Sequence, residues 1–226
     1  MFDIDFTPFL LSLKLSFVST AILFCVVLPL AYAMSRTSFI GKPFIETIVS
    51  LPLVLPPSVL GFYLLVLLSP YAPLGEFLER VFDVRVVFNF AGLVIASCIY
   101  SLPFMFQPLY AGFNGLKPSL FEASYSLGKS RIYTLFRVIL PNIKPNLLTA
   151  IVVSFAHTMG EFGVVLMIGG SVAGQTKVAS IAIFEATEML DYTKAHIYAA
   201  LMLIISFSVL FLVYFFNANV KKSAKI

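Results

Sequence analysis

Charge is what this sequence has least of. Only 12% of its 226 residues are Asp, Glu, Lys or Arg, while 60% are hydrophobic. Soluble domains run near a quarter charged and about 45–50% apolar, so a soluble globular domain is excluded. Cysteine is equally scarce. Cys25 and Cys98 both lie inside apolar runs, with no second thiol or His at ligand spacing, and they read as small core hydrophobes. No H-E-x-x-H arrangement occurs, so zinc hydrolysis has no ligand set. No low-complexity linker or internal repeat divides the chain, which reads as one domain over 1–226.

What the chain has instead is length without charge. About 18 uncharged apolar residues suffice for a helix to cross a roughly 30 Å hydrocarbon layer. Residues 15–35, 47–75, 86–116 and 197–220 carry no Asp, Glu, Lys or Arg, and 145–170 only Glu161. The expectation is an all-α integral membrane protein with five spans, near 10–34, 47–68, 88–112, 146–170 and 197–217.

The basic residues alternate in number between successive loops. Arg36, Lys42, Lys117, Lys129, Arg131, Arg137, Lys144, Lys221, Lys222 and Lys225 fall on one side, and Arg80, Arg85, Lys177 and Lys194 on the other. Basic loops stay in the cytoplasm, so the N-terminus is expected outside and the C-terminus inside. Ala31-Tyr32-Ala33 has the look of a signal cleavage site. The segment ahead of it, however, holds Asp3, Asp5 and a single Lys14, and the positive charge follows the apolar run. That polarity suits a retained first span. The C-terminal lysines read as a stop-transfer anchor facing anionic lipid.

Two spans carry unusual chemistry. Span two contains Leu51-Pro52-Leu53-Val54-Leu55-Pro56-Pro57-Ser58. Each proline removes a backbone donor and crowds the preceding turn, so a kink or break is expected. Freed carbonyls inside a bilayer need protein or a water-lined cavity, so Pro56, Pro57 and Ser58 are either a packed kink or part of a gate. Span four contains His157-Thr158-Met159-Gly160-Glu161-Phe162-Gly163. A carboxylate costs several kcal/mol in lipid, roughly 2.5–3.5 on insertion scales, and so should face protein or water. On a continuous helix His157 and Glu161 would share a face and could pair. They form either a structural pair or, with Ser154, Thr158 and Gly160, a stretch of pathway wall.

Outside, residues 71–87 read as a turn with some helix, and 175–190 as a partly buried helix available to an external partner. Inside, the loop at about 113–145 is polar and patterned. Pro118 lies near a helix start, with Ser119 and Glu122 at capping-box spacing. Leu120, Phe121, Ser124 and Leu127 fall on adjoining faces of a short helix that Gly128 can end. A second helix over about 132–138 should stop before Pro141. The product is a helix–glycine turn–helix offering apolar side chains to the cytoplasm. Gly128-Lys129-Ser130 ends like a phosphate-binding loop, but position 123 is Ala, not the required Gly, and no strand precedes it. ATP binding by this chain is rejected.

The run Glu122-Ala123-Ser124, three residues, Gly128, nine residues, then Val138-Ile139-Leu140-Pro141 resembles the cytoplasmic coupling loop of permease subunits in ATP-binding-cassette (ABC) importers. Ser124 stands for the second Ala of that pattern and Val138 for the usual Ile. Gly-Glu-Phe-Gly and the proline-rich span narrow the resemblance to the molybdate group, close to its sulfate and tungstate relatives. Members of that group often carry Arg where His157 stands.

The resemblance implies a type I importer permease fold and a symmetric pair of permeases in the inner membrane. It also implies a pair of cytoplasmic ATPases that bind ATP and Mg, and an external oxyanion-binding protein. Glu122, Ala123 and Gly128 would belong to the ATPase interface, and span four around Thr158 and Gly160 would border the pathway. Catalytic and metal-binding residues are expected to be absent. Apart from Lys14 near the outer end of span one, no Lys or Arg lies deep in a span, so an anion would be solvated weakly, by hydroxyls such as Ser50, Ser58, Ser154 and Thr158. Tungstate or sulfate cargo stays open. An ion-coupled secondary transporter would need carboxylates in several spans, and an intramembrane enzyme a nucleophile–base set.

Overall fold

The computed structural model describes residues 4–83 and 85–223. Among them lie eleven helices: α1 (Thr7–Arg36), α2 (Lys42–Ser50), α3 (Pro57–Leu68), α4 (Pro73–Phe82), α5 (Phe90–Asn114), α6 (Pro118–Ser126), α7 (Arg131–Asn142), α8 (Lys144–Met159), α9 (Gly163–Gly169), α10 (Ala179–Glu188) and α11 (Tyr192–Ser223). The expected five transmembrane helices are therefore corrected to eleven helices. Three helices, α1, α5 and the 192–212 part of α11, are long and apolar enough to cross a membrane whole. Two bent pairs bring the number to as many as five: Lys42–Leu53 with Pro57–Leu68 at 109°, and Arg131–Asn142 with Lys144–Met159 at 75°.

Backbone chemistry sets both interruptions in the apolar runs. Before a proline, a residue is pushed out of the helical region. Pro56, which precedes Pro57, accordingly has φ −55° and ψ 138°, and α3 restarts with Pro57 at its first turn. The expected span over 146–170 breaks at Gly160-Glu161-Phe162, where Phe162 has φ −130° and ψ −61°. The two breaks pack on each other. A Cβ on Gly163 would lie 2.8 Å from Pro57 Cβ, and one on Gly61 would lie 2.8 Å from Met167 Cβ. Only glycine permits that approach.

The main core joins α1, α5 and the loop helices through Val27, Ala31, Met105, Leu109, Ile139 and Ile143. A second core gathers Leu64, Leu68, Ala96, Val164 and Ile168, which ties α3 and α9 to α5. Outward side chains such as Phe17, Phe62, Leu203 and Phe207 are exposed, the pattern of a helix bundle whose solvent is lipid.

The outer helix expected over 175–190 is shorter, Ala179–Glu188, and just ahead of it the Thr176 hydroxyl donates to Gly169 O at 2.7 Å. Its inward residues Ala179, Ile181, Ala182 and Ala186 are buried. Lys177 pairs with Glu185. Burial pushes the Glu185 carboxyl up, but hydrogen bonds from Lys177 and Ser171 and the charges of Lys177 and Lys194 hold it below the ordinary carboxylate value. A carboxyl lowered in the fold contributes stability above its unfolded value and loses it as pH falls through the folded one. Hydrogen-exchange protection factors across 179–188, taken relative to intrinsic exchange at each pH, should therefore fall with acid, and Lys177→Met should flatten that acid dependence.

Candidate functional site

The pathway residues read from the sequence separate into a cleft and its backing. Between the two breaks lies a cleft of about 600 Å³, with Pro57, Ser58, Tyr100, His157, Gly160 and Glu161 in its wall. Pro56 sits one residue back, as the extended residue that aims α3. Ser154 and Thr158 are buried behind the wall. The Ser154 hydroxyl has no hydrogen-bond partner, while Thr158 Oγ1 lies 2.9 Å from Ser101 Oγ. Ser50 lies apart, at the end of α2 beside Glu46 and Thr47.

The expected His157–Glu161 pair is a further correction. α8 ends at Met159, so the two side chains no longer share a helical face. His157 Nδ1 instead lies 2.9 Å from Ser101 Oγ, and its ring stacks on Phe104 at 3.9 Å between centroids. Glu161 is 5% exposed, and neither carboxylate oxygen has a hydrogen-bond partner among the described residues. The Ser97 hydroxyl, nearby, likewise has no hydrogen-bond partner among the described residues. Its backbone carbonyl is held at 2.6 Å by Ser180 Oγ of α10, and Ser12 Oγ of α1 accepts from Ala179 N–H at 2.9 Å. The outer helix thus fixes the second break. Ser101 and Ser180 escaped the sequence reading because a serine in an apolar run carries no signal until its partner is known.

On the basic side, α6 and α7 form the helix–turn–helix. The capping box is not formed: Lys117 occupies the cap, with Pro118 at the first helical position and Ser119 already inside. Gly128 turns the chain at φ +71°, and its N–H donates to Tyr125 O at 2.9 Å. Ser130 caps α7 through Tyr133 N–H. α7 does not stop before Pro141. A π-helical stretch over Leu135–Ile139 carries the helix through to Asn142, widening the turn ahead of a ring that would otherwise strike it.

The predicted coupling residues divide by burial. Phe121 is 2% exposed with the Arg36 guanidinium 3.9 Å over its ring, and Ser124 Oγ bonds Thr134 Oγ1 at 2.8 Å. These two, with half-buried Leu120, hold the element to the bundle. Glu122, Ala123, Leu127 and Gly128 are exposed, beside exposed Tyr125, Ile132 and Phe136. The last three were missed, since the motif marks the turn and not the face beside it. Together they form an exposed apolar patch beside the glycine turn.

Solved structures share this architecture. The chain aligns with a bacterial ABC transporter involved in importing the acidic polysaccharide alginate, at TM-score 0.73 and 16% identity, covering 94% of this chain and 79% of that one. It aligns with the MetNI methionine ABC transporter in an inward-facing conformation, at TM-score 0.70 and 16% identity, covering 96% and 94%. By sequence it is 42% identical to a molybdenum transport system permease protein of Azotobacter vinelandii, across 93% of each chain. A putative molybdenum transport system permease protein of Bacillus subtilis is 35% identical over 92% of each. A sulfate transport system permease protein of Salmonella typhimurium is 32% identical, covering 80% of this chain and 65% of that one. The family model for binding-protein-dependent transport system inner membrane components matches residues 15–224. With two glycine-seamed breaks around a cleft, a helix–turn–helix with an exposed apolar face, and a family match over nearly its whole length, the chain belongs to that family of inner-membrane permease subunits.

Proposed function

We propose that this chain is the permease of an ATP-driven importer that carries molybdate across the cytoplasmic membrane as a pair with a second copy of itself. The observation that carries the reading is the glycine turn at 128, with exposed Leu127, Ile132 and Phe136 presented beyond the bundle. That face fits a groove on a cytoplasmic ATPase, which binds ATP and Mg and moves α6 as it closes. The N-terminus lies outside, the C-terminus inside, and an external oxyanion-binding protein delivers cargo at the α10 side. The single permease domain has its coupling loop at about 113–145.

Cargo enters this reading from the relatives: two named for molybdenum transport align along nearly their whole length. The sulfate permease relatives favour sulfate as the second reading. The cleft suits either anion, offering hydroxyl and imidazole groups and no fixed cation, so cargo is solvated without being trapped. Energised vesicles holding the chain, its ATPase and its binding protein should take up labelled molybdate, with a tenfold excess of sulfate competing weakly. Uptake that sulfate abolishes would reassign the cargo, and uptake indifferent to ATP would remove the importer reading.

A further inference from the structure

Ser101 is fully buried in α5 and sits at the centre of a three-group chain that no sequence motif announces. Its Oγ lies 2.9 Å from Thr158 Oγ1 on one side and 2.9 Å from His157 Nδ1 on the other. Proton counting decides the direction of that chain. If Thr158 donates to Ser101 and Ser101 to Nδ1, both hydroxyl protons are used. If Nδ1–H donates to Ser101 instead, Ser101 must donate to Thr158, whose own proton is then left without an acceptor. The Thr158 hydroxyl makes no other hydrogen bond among the described residues. Buried donors left unmet are rare because they forfeit solvation without return. The first arrangement therefore wins, and it leaves the ring's proton on Nε2. Phe104, stacked at 3.9 Å, and Tyr100, at 4.8 Å, keep the ring in that plane. Nε2 has no partner within the fold and His157 lines the cleft, so this N–H opens onto it.

We propose that Ser101 is a positioning residue that fixes His157 as the Nε2–H tautomer, so that the cleft presents a directed hydrogen-bond donor to a passing oxyanion. The opposite tautomer would aim a lone pair at the same anion and repel it. Thr158 completes the device from behind. The oxyanion half of the inference rests on the transport reading above; the tautomer half does not.

The test has two arms. The chain contains only two histidines, His157 and the exposed His196, so nitrogen-15 histidine labelling of the full-length detergent-solubilised protein gives separable ring signals. His157 should show Nε2 protonated and Nδ1 as an acceptor. Ser101→Ala should return it to a mixed population, and Ser101→Thr, which keeps the hydroxyl, should restore the single form. A protonated Nδ1 in the native chain, or signals unmoved by Ser101→Ala, would overturn the proposal. In vesicles holding the full complex, His157→Phe should lower ATP-driven molybdate uptake about tenfold or more, the worth of a hydrogen bond to a charged group. His157→Gln, whose amide can donate near the same point, should recover part of it, and Ser101→Ala should add little to His157→Phe. Native uptake with His157→Phe unimpaired sinks the donor role alone. No uptake by the native complex counts against the importer reading, and the nitrogen signals still judge Ser101.

Discussion

Gly128→Pro should strip the chain of the ATPase proposed to grip it and abolish energised uptake. Glycine at 128 holds φ +71°, whereas proline is locked near −65°, so the ring cannot enter this turn. The substitution also deletes the N–H that donates to Tyr125 O at 2.9 Å, the bond that closes α6. Losing both should cost about 3 kcal/mol or more locally. That cost falls on an element with little holding it: the ring of Phe121 under Arg36, and the Ser124–Thr134 hydroxyl pair. The exposed face of Leu127, Ile132 and Phe136 would then lose its fixed spacing. Gly128→Ala separates conformation from bulk. Nothing lies within 4 Å of the added methyl, so only the left-handed backbone penalty of about 1–2 kcal/mol remains. Affinity capture of the ATPase through a tag on this chain reads both variants. Undiminished capture by Gly128→Pro would show that the turn is not the grip.

Gly163→Val, or Gly61→Leu, should destabilise the bundle by about 1–3 kcal/mol each, the usual cost of overpacking. A Cβ at 163 meets Pro57 Cβ at 2.8 Å, and a Cβ at 61 meets Met167 Cβ at 2.8 Å and Val164 Cα at 3.2 Å. Both clashes open the same seam between α3 and α9, so the double variant should fall short of the sum. The cleft lies beside this seam, and uptake should drop along with the thermal midpoint of the purified chain. Gly160→Ala is the stability control. Its nearest foreign atom would be 3.7 Å away and its φ is −90°, so the midpoint should hold. A midpoint unchanged by Gly163→Val would mean that the two broken segments do not bear on each other.

Much of this protein is readable from its residues, and the misses share a cause. Long uncharged runs announce α1, α5 and α11 because lipid imposes a length that soluble packing does not. Pro56-Pro57 announces the first break, since its rule acts between adjacent residues. The second break was invisible: Gly160 and Gly163 within an apolar run are compatible with a continuous helix. Just past that break Gly163 packs against Pro57, a hundred residues away in the chain, a contact no local pattern reveals. The same holds for His157, whose partner lies on α5 and not one turn along its own helix. Local pattern placed Leu120, Phe121, Ser124 and Gly128 in one element. It did not say which faced inward, because burial there depends on Arg36 at the far end of α1.

The interrupted helices also bear on how the protein enters the bilayer. At 1.5 Å per residue, the twelve residues of α3 reach about 18 Å and the seven of α9 about 10 Å, well short of a 30 Å hydrocarbon layer. Neither can settle in lipid alone, because each ends in backbone groups that oil cannot satisfy. At the break just ahead of α9, Ser180 supplies a bond of this kind, to Glu161 O, from a helix later in the chain. α1 and α5 are thus long enough to cross as free-standing rods, whereas α3 and α9 have a place in the layer only when packed on each other and on α5.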